Sequence, residues 1–569
     1  MSSIDKNNDL IFRVSELEAE IKRLKSRKKF GLVWENKPEK FEKESQNALP
    51  VLKEKGGKFK DIITDKNSDF NVLIEGDNYH ALSVLNYAHK KSIDLIYIDP
   101  PYNTGAKNWK YNNHFVDKDD SYRHSKWLTL MKNRLSLSKN LLKDDGILVC
   151  AIDENEQAHL SVLLEEMFSE YDQYTITIIH NPGGTQGNNF HYTHEYAIFL
   201  IPKNKTLIGL QDRTADPDIR PLRDVSTGNH LREDAKNCFY PVFVKDGNIV
   251  GFGDVCDDSF HPESANVTRN DGVVEIYPID PSGNERKWVF ARQSVESIKG
   301  ELAVVENKKR SILDIVRTKT MFNYKTVWTD SKYNANIFGT KLLREVIPNC
   351  DFDFPKSLYT VYDCLFSVVG GKPDAKIIDF FAGSGTTGHA VLEMNKVDNG
   401  NRKFILCTNN ENGICEDVTY ERIKRVIKGY TNSKGEKIEG LGSNLKYLKT
   451  DFIGIDKVND NLKKKMVDRS TEILCLKENT FNLVADKYSK IRTKIFENSG
   501  KYTAILFDLF YFDDFVEEIS KLKDKPVSVY VFSYTKDFSR EEFGDLSIDF
   551  TIEAIPEKIL ETYKKIFNF

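Results

Sequence analysis

The stretch Ile93-Asp-Leu-Ile-Tyr-Ile-Asp-Pro-Pro-Tyr102 sets a carboxylate, two prolines and a phenol directly behind an apolar run. Ile93, Leu95, Ile96, Tyr97 and Ile98 are almost continuously apolar, the pattern of a short strand buried on both faces of a parallel sheet. Asp99 falls at the strand's carboxyl end, the edge at which open α/β sheets bind ligands. Pro100 and Pro101 fix the turn that follows, so the carboxylate and the Tyr102 ring are held out over the crevice. There the carboxylate can accept a ligand's N–H. A loop cap whose Asp satisfies backbone amides would use the same residues.

A second stretch, Lys376-Ile-Ile-Asp-Phe-Phe-Ala-Gly-Ser-Gly-Thr-Thr-Gly-His389, reads as another short strand opening into a loop with Gly383, Gly385 and Gly388. A helical pattern in Ala390, Val391 and Met394 follows. Glycines let backbone come close to a ligand, and a helix amino terminus offers free N–H groups. Gly-x-Gly-x-x-Gly alone also fits a dinucleotide fingerprint. On that reading an acidic residue should end the next strand, where Asn409-Asn410-Glu411 is ambiguous, and the Asp-Pro-Pro-Tyr turn has no role.

The elements around these stretches must place them. Val72-Leu-Ile-Glu-Gly-Asp-Asn78 is an apolar strand ending in polar residues ahead of an amphipathic helix (Ala81, Leu82, Leu85). Asp77 and Asn78 suit an adenine edge or a ribose, and Asp77 suits a plain helix cap equally. A helix from Trp127 to Leu142, a strand from Gly146 to Asp153, a helix from Gln157 to Phe168 and a strand from Tyr174 to Ile179 continue a βαβα rhythm. That rhythm argues for a doubly wound α/β sheet. The polar, glycine-rich run from Asn181 to Tyr196 carries aromatic residues and suits a mobile segment that can close over a ligand. The strand Lys403–Thr408 leads to Asn409, Asn410 and Glu411, placed for ribose hydroxyls.

At 569 residues the chain should make about three or four domains. The boundaries are drawn as 1–60, an amino-terminal helix and linker; 61–203, the first half of the catalytic sheet; 204–346, an irregular insert suited to reading DNA; 347–450, the second half with the glycine loop; and 451–569, a small α/β domain. Leu10, Val14, Leu17, Ile21 and Leu24 form a heptad stripe, with Arg23, Lys25, Arg27, Lys28 and Lys29 at its end. With 40% hydrophobic and 30% charged residues the composition is that of a soluble protein. No apolar run approaches the roughly 18 residues of a membrane span, and the amino terminus lacks a signal-peptide pattern, so a cytoplasmic location is expected. Eight scattered cysteines without a Cys-x-x-Cys pair are expected to be reduced thiols, and no metal site is expected. A net charge of −4 leaves any DNA contact to local basic surfaces.

Taken together, Asp-Phe-Phe-Ala-Gly-Ser-Gly-Thr-Thr and Asp-Pro-Pro-Tyr resemble the motif pair of S-adenosylmethionine-dependent DNA amino-methyltransferases, which methylate adenine N6 or cytosine N4. The Asp-Pro-Pro-Tyr comes first in the chain, similar to the β-class order. Arg27-Lys-Lys-Phe-Gly-Leu-Val-Trp-Glu35, Gly76-Asp-Asn78, Thr193-His-Glu-Tyr196, Trp328-Thr-Asp330, Phe354-Pro-Lys-Ser357 and Cys407-Thr-Asn-Asn-Glu-Asn412 further resemble the modification (Mod) subunits of type III restriction–modification systems. The resemblance spans roughly residues 10 to 480 and implies a doubly wound, mostly parallel Rossmann-like methyltransferase sheet with an inserted DNA-recognition domain and a small carboxyl-terminal α/β domain.

It further implies that Asp99, Pro100, Pro101 and Tyr102 are catalytic. Asp99 and the Pro100 carbonyl would accept the amine protons, and Tyr102 would stack on the base. S-adenosyl-L-methionine would be held by Asp77, Asn78, Lys356, Ser357, Asp379, Phe380, Phe381, Gly383, Ser384, Gly385, Thr386, Thr387, Asn409, Asn410 and Glu411. The implied partners are double-stranded DNA with a flipped adenine, a second copy of the chain, and a helicase-nuclease (Res) subunit. A cytosine-N4 enzyme and a catalytically silent DNA-binding subunit of the same fold are the alternatives.

Overall fold

A computed structural model describes residues 14, 17, 34–44, 47–66, 68–112, 114–184, 189–307, 312–456, 459–534 and 538–567. Most of the heptad stripe, and the basic run behind it, lie outside the described residues.

The chain divides into two compact units, one formed by Leu210–Tyr324 and one by the residues before and after it. The larger unit is built on a ten-stranded sheet. Its strands and main helices, in chain order, are β1 (Ala48–Glu54), β2 (Phe70–Glu75), α1 (Asn78–Ala88), β3 (Ile93–Ile98), α2 (Arg123–Lys139), β4 (Leu142–Ile152), α3 (Gln157–Met167), β5 (Tyr171–Ile178), β6 (Glu195–Pro202), β7 (Val327–Trp328), α4 (Leu358–Val369), β8 (Lys376–Asp379), α5 (Thr386–Asp398), β9 (Lys403–Thr408), α6 (Glu421–Lys428) and β10 (Asn444–Gly454). Across the sheet the order is β1-β10-β2-β9-β8-β3-β4-β6-β5-β7. From β10 to β4 every neighbouring pair is parallel. Antiparallel pairing enters at β1 on one flank and at β6 on the other. The rhythm read as parallel up to Ile179 therefore changes direction at β6.

Every residue of β2 and β3 is buried, Asn71, Glu75 and Asp94 included, as in strands covered on both faces. Residues β3 and β8 pair in register through Leu95 with Ile377 and Ile96 with Ile378. The turn after Ile98 and the glycine loop after Asp379 thus leave the same edge of the sheet side by side. The ends of β2 and β9 join them, since Glu75 pairs with Thr408.

The smaller unit holds a three-stranded antiparallel sheet of Asp218–Pro221, Ile312–Lys319 and Leu302–Asn307, and a four-stranded one containing Val242–Lys245 and Val274–Ile276. Its core includes Tyr240 and Trp288, the indole donating to the Tyr240 carbonyl at 2.7 Å. It is narrower than the stretch 204–346 suggested by fading periodicity. Residues 325–346 belong to the larger unit, where β7 adds parallel to β5.

After β10 the chain builds a five-stranded sheet, Asn482–Asp486, Thr493–Glu497, Tyr502–Leu506, Val527–Phe532 and Phe550–Ile555 in spatial order, on its own apolar core. The closing helix Glu557–Phe567 ties it back, Tyr563 donating to the Pro50 carbonyl of β1 at 2.6 Å. No helix among the described residues is long and apolar enough to cross a membrane.

Helix α5 leaves the glycine loop and packs tightly on α6 and β9. A Cβ at Gly388 would lie 2.7 Å from Ile423 Cδ1 and 3.0 Å from Leu406 Cδ1, so this glycine is set by packing. Replacing Gly388 by Val should cost about 1–3 kcal/mol through overpacking, measured by urea unfolding. An unchanged midpoint would show that α5 does not need this close approach.

Candidate active site

The turn after β3 is fastened from three sides. Trp127 Nε1 donates to the Pro101 carbonyl at 2.6 Å. Asn103, fully buried and left-handed at φ 55°, accepts from Trp109 Nε1 at 3.1 Å and donates to the Glu156 carboxylate. His124 Nδ1 meets the same carboxylate at 2.6 Å. His124, Glu156 and His159 bring three donor atoms within 4.8 Å of one another, a spacing that a metal could use. In this structure hydrogen bonds already engage both ring nitrogens of His124. Arg123 Nε donates to His124 Nε2 at 3.1 Å, which puts the imidazole proton on Nδ1, facing Glu156. Glu156 thereby anchors the residue next to Tyr102.

Above this turn sits a buried lysine shared by two carboxylates. Lys356 Nζ lies 3.4 Å from Asp99 Oδ1 and is hydrogen-bonded to Glu195 Oε2 and to the Tyr102 hydroxyl. Tyr102 in turn donates to Glu195 at 3.2 Å. Burial pushes the Asp99 carboxyl above its ordinary range, with Lys356 pulling the other way. At Glu195 burial also opposes the charge, but Lys356 and His180 outweigh it and hold the carboxyl below the usual range. Burial works against the Lys356 cation, and the two carboxylates more than restore it. Two carboxylates thus share one cation at this end of the cavity.

Opposite the turn, the glycine loop takes left-handed conformations at Gly383 (φ 49°) and Gly385 (φ 77°), Gly385 forming the amino-terminal cap of α5. Behind it Asp379 accepts from Phe381 N at 2.9 Å and from Thr387 Oγ1 at 2.5 Å, its carboxyl raised to about 7 by burial. Arg422, fully buried on α6, donates to Thr386 Oγ1 at 2.8 Å and Ser384 Oγ at 3.2 Å. Asn78 Nδ2 donates to the Phe380 carbonyl at 3.0 Å and so ties the end of β2 to the loop. Asp77 caps α1, accepting from Tyr79 N at 2.8 Å, and also meets Arg134.

A cavity of about 1550 Å³ opens between these parts. Of the residues expected in the site, Asp99, Pro100, Pro101, Tyr102, Asp77, Asn78, Lys356, Phe380, Phe381, Gly383, Asn409 and Glu411 line it. Ser357, Asp379, Ser384, Gly385, Thr386, Thr387 and Asn410 stand behind that lining and hold the loops. Ser357 donates to the Lys332 carbonyl at 2.8 Å, and Asn410 accepts from Glu416 N at 3.1 Å. Lys356, expected among the cofactor residues, reaches the Asp99 side of the cavity.

Sequence reasoning did not assign roles to Glu195, Arg134, Asn103 and Glu156. Glu195 stood within Thr193-His-Glu-Tyr196, but its partner is far away in the chain. Arg134 had a readable signal: it shares a helical face with Leu130, Met131 and Leu135, so a charge there must be paired. Glu39 pairs with it at 2.9 Å.

An acidic turn and a glycine loop at adjacent strand ends share one large cavity, at the sheet edge where α/β folds bind their ligands. The DNA methylase family of N6/N4 type matches residues 93–463, well over half of the chain, and the protein belongs to that family. A type II methyltransferase of Klebsiella pneumoniae, M.KpnI, is 30% identical over 397 residues, covering 66% of this chain and 90% of the relative. The Mod subunit of the type III restriction–modification enzyme EcoPI, from Escherichia phage P1, is 29% identical over 395 residues, covering 61% of this chain and 58% of the relative. The chain thus spans little more than half the length of that Mod subunit. Among solved structures, the M1.HpyAVI–SAM complex aligns at 11% identity over 62% of this chain and 98% of that one, with a TM-score of 0.30.

By family the protein is a DNA methyltransferase, and S-adenosylmethionine is the methyl donor expected from its motifs. The cavity fits that donor. It offers half-buried backbone at Gly383 and polar groups at Asp77, Asn78 and Asn409. Glu195→Gln leaves Lys356 with Asp99 as its one anionic partner in the cluster and should draw the ammonium onto the Asp99 carboxylate. Methyl transfer should fall roughly 100-fold, the scale of an ångström-level misplacement. Donor affinity measured by calorimetry should change by less than a few-fold, and undiminished transfer would refute this role.

Proposed function

We propose that the chain methylates the exocyclic N6 amine of an adenine extruded from double-stranded DNA, as the modification subunit of a type III restriction–modification system. The observation that carries this reading is that Asp99 and Gly383 line one cavity from adjacent strand ends. An aromatic amine is a poor nucleophile, and it improves as its protons gain acceptors. Asp99 accepts one N–H and the Pro100 carbonyl the other, while Tyr102, its hydroxyl held by Glu195, offers a ring face to the base. S-adenosylmethionine, when bound, supplies a methyl group activated by its sulfonium. The chain's task is then to orient the amine in line. Asp99 need not be a strong base, because the methylated amine is acidic and loses its proton late. The choice of adenine over cytosine rests on the resemblance of several segments to Mod subunits, since the turn accommodates either amine.

Asp99→Ala should abolish transfer to DNA while donor binding stays within a few-fold by calorimetry. Nucleoside analysis of DNA methylated by the wild-type protein should yield N6-methyladenine. N4-methylcytosine alone would refute the choice of base, and lost donor binding in the variant would refute the role of Asp99.

The reading extends to assembly. A second copy would help read DNA while the first methylates, the Leu210–Tyr324 unit would contact the recognition sequence, and a helicase-nuclease subunit would supply restriction. Light scattering of the purified chain should report a mass near twice 65.5 kDa. A fully active species at the single-chain mass would rule out an obligate dimer.

A further inference from the structure

Phe354 is 90% exposed, the largest exposure of any large hydrophobic side chain among the described residues. Single exposed apolar residues are common and need no explanation in general. This one has three properties that an incidental surface residue lacks. Its backbone is left-handed at φ 56°, a conformation rare for a bulky side chain and one that a following proline, Pro355, does nothing to favour. Its ring lines the same cavity as Asp99 and Tyr102. And the segment that carries it is fastened. Lys356 is locked into the Asp99–Glu195 cluster, and Ser357 donates to the Lys332 carbonyl at 2.8 Å. The Pro355 carbonyl packs so closely on Gly339 that a Cβ there would come within 2.2 Å of it. The exposure is therefore imposed by the fold, and strained backbone kept at the mouth of a site points to use there.

The surroundings narrow what the ring can meet. Asp351 and Asp353 precede it in the chain, and the cation two residues on, Lys356, is engaged by Asp99 and Glu195. An aromatic face presented from an acidic lip suits the flat, uncharged surface of a base pair or an unpaired base. Tyr192, half exposed, lines the cavity from the segment before β6.

We propose that Phe354 is a wedge that enters the DNA base stack at the position vacated by the extruded base, holding the gap open while that base occupies the cavity beside Tyr102. The inference rests on the DNA-methyltransferase reading above and adds to it the element that stabilises the opened duplex. Extrusion sacrifices stacking and pairing, and an inserted apolar ring replaces part of the lost stacking. The wedge is consequently needed most when the target base is fully paired.

The test uses the full-length protein and two duplexes carrying its own target site, located by sequencing DNA methylated in cells. In one the target base is correctly paired, and in the other it stands opposite an abasic position and is already unpaired. Phe354→Ala should lower kcat/KM on the paired duplex by about tenfold or more and on the unpaired one by less than about threefold, because extrusion there is cheap. Phe354→Trp should retain activity on both, and calorimetry should find donor affinity unchanged in both variants. Equal losses on the two duplexes, no loss on either, or a loss of donor binding would overturn the wedge. Wild-type protein that methylates neither duplex would overturn the methyltransferase reading itself, a result separate from any difference between the variants.

Discussion

The site depends on one pairing. Strands β3 and β8 are 282 residues apart where Asp94 accepts from the Lys376 backbone, yet they lie next to each other in the sheet. Because both run in the same direction, their carboxyl ends coincide, and the Asp-Pro-Pro-Tyr turn and the glycine loop open into one space. A parallel neighbour is what makes this possible, since antiparallel pairing would send the two loops to opposite edges. Around that pair, β2 and β9 deliver Asp77 and Asn409 to the same edge, and each strand is apolar on both faces because helices cover the sheet from both sides.

Electrostatics then divides the labour between near-identical groups. Asp99, Glu195 and Asp379 are all carboxylates at this edge, but their surroundings separate them. Glu195 is held ionised chiefly by Lys356, Asp99 is pushed up by burial while keeping a share of the same cation, and Asp379 is raised to about 7 with its oxygens turned to the loop behind the cavity. Lys356 is the group that couples the first two. Its charge survives burial because it is shared, and removing either partner leaves it to settle on the other. The Asp99 carboxylate is thus kept from a one-to-one ion pair with Lys356.

Much of this was legible in the sequence, for identifiable reasons. Largely apolar runs such as Ile93–Ile98 and Lys403–Thr408 announce strands of a covered parallel sheet, and the prolines after Asp99 and the glycines after Asp379 announce where ligands approach. What pattern does not carry is the direction of each side chain within a motif. Ser384, Thr386 and Thr387 read as cofactor contacts, but their hydroxyls answer to Arg422 and Asp379, partners whose approach is decided by the packing of α6 and β8. Glu195 gave no sign of its role because Lys356 lies 161 residues further on. The extent of the insert was blurred because residues 325–346 are irregular in sequence and join the main sheet through only the two residues of β7.

The central claim is that a base amine and a methyl donor meet between the turn after β3 and the loop after β8. The most direct measurement is a structure of the protein bound to S-adenosylhomocysteine and a duplex carrying its target site. The account predicts an extruded adenine stacked on Tyr102, its N6 about 3 Å from both the Asp99 carboxylate and the Pro100 carbonyl, with the cofactor lying along Gly383. A target base still stacked in the duplex in a productive complex, or a cofactor bound away from the glycine loop, would contradict it.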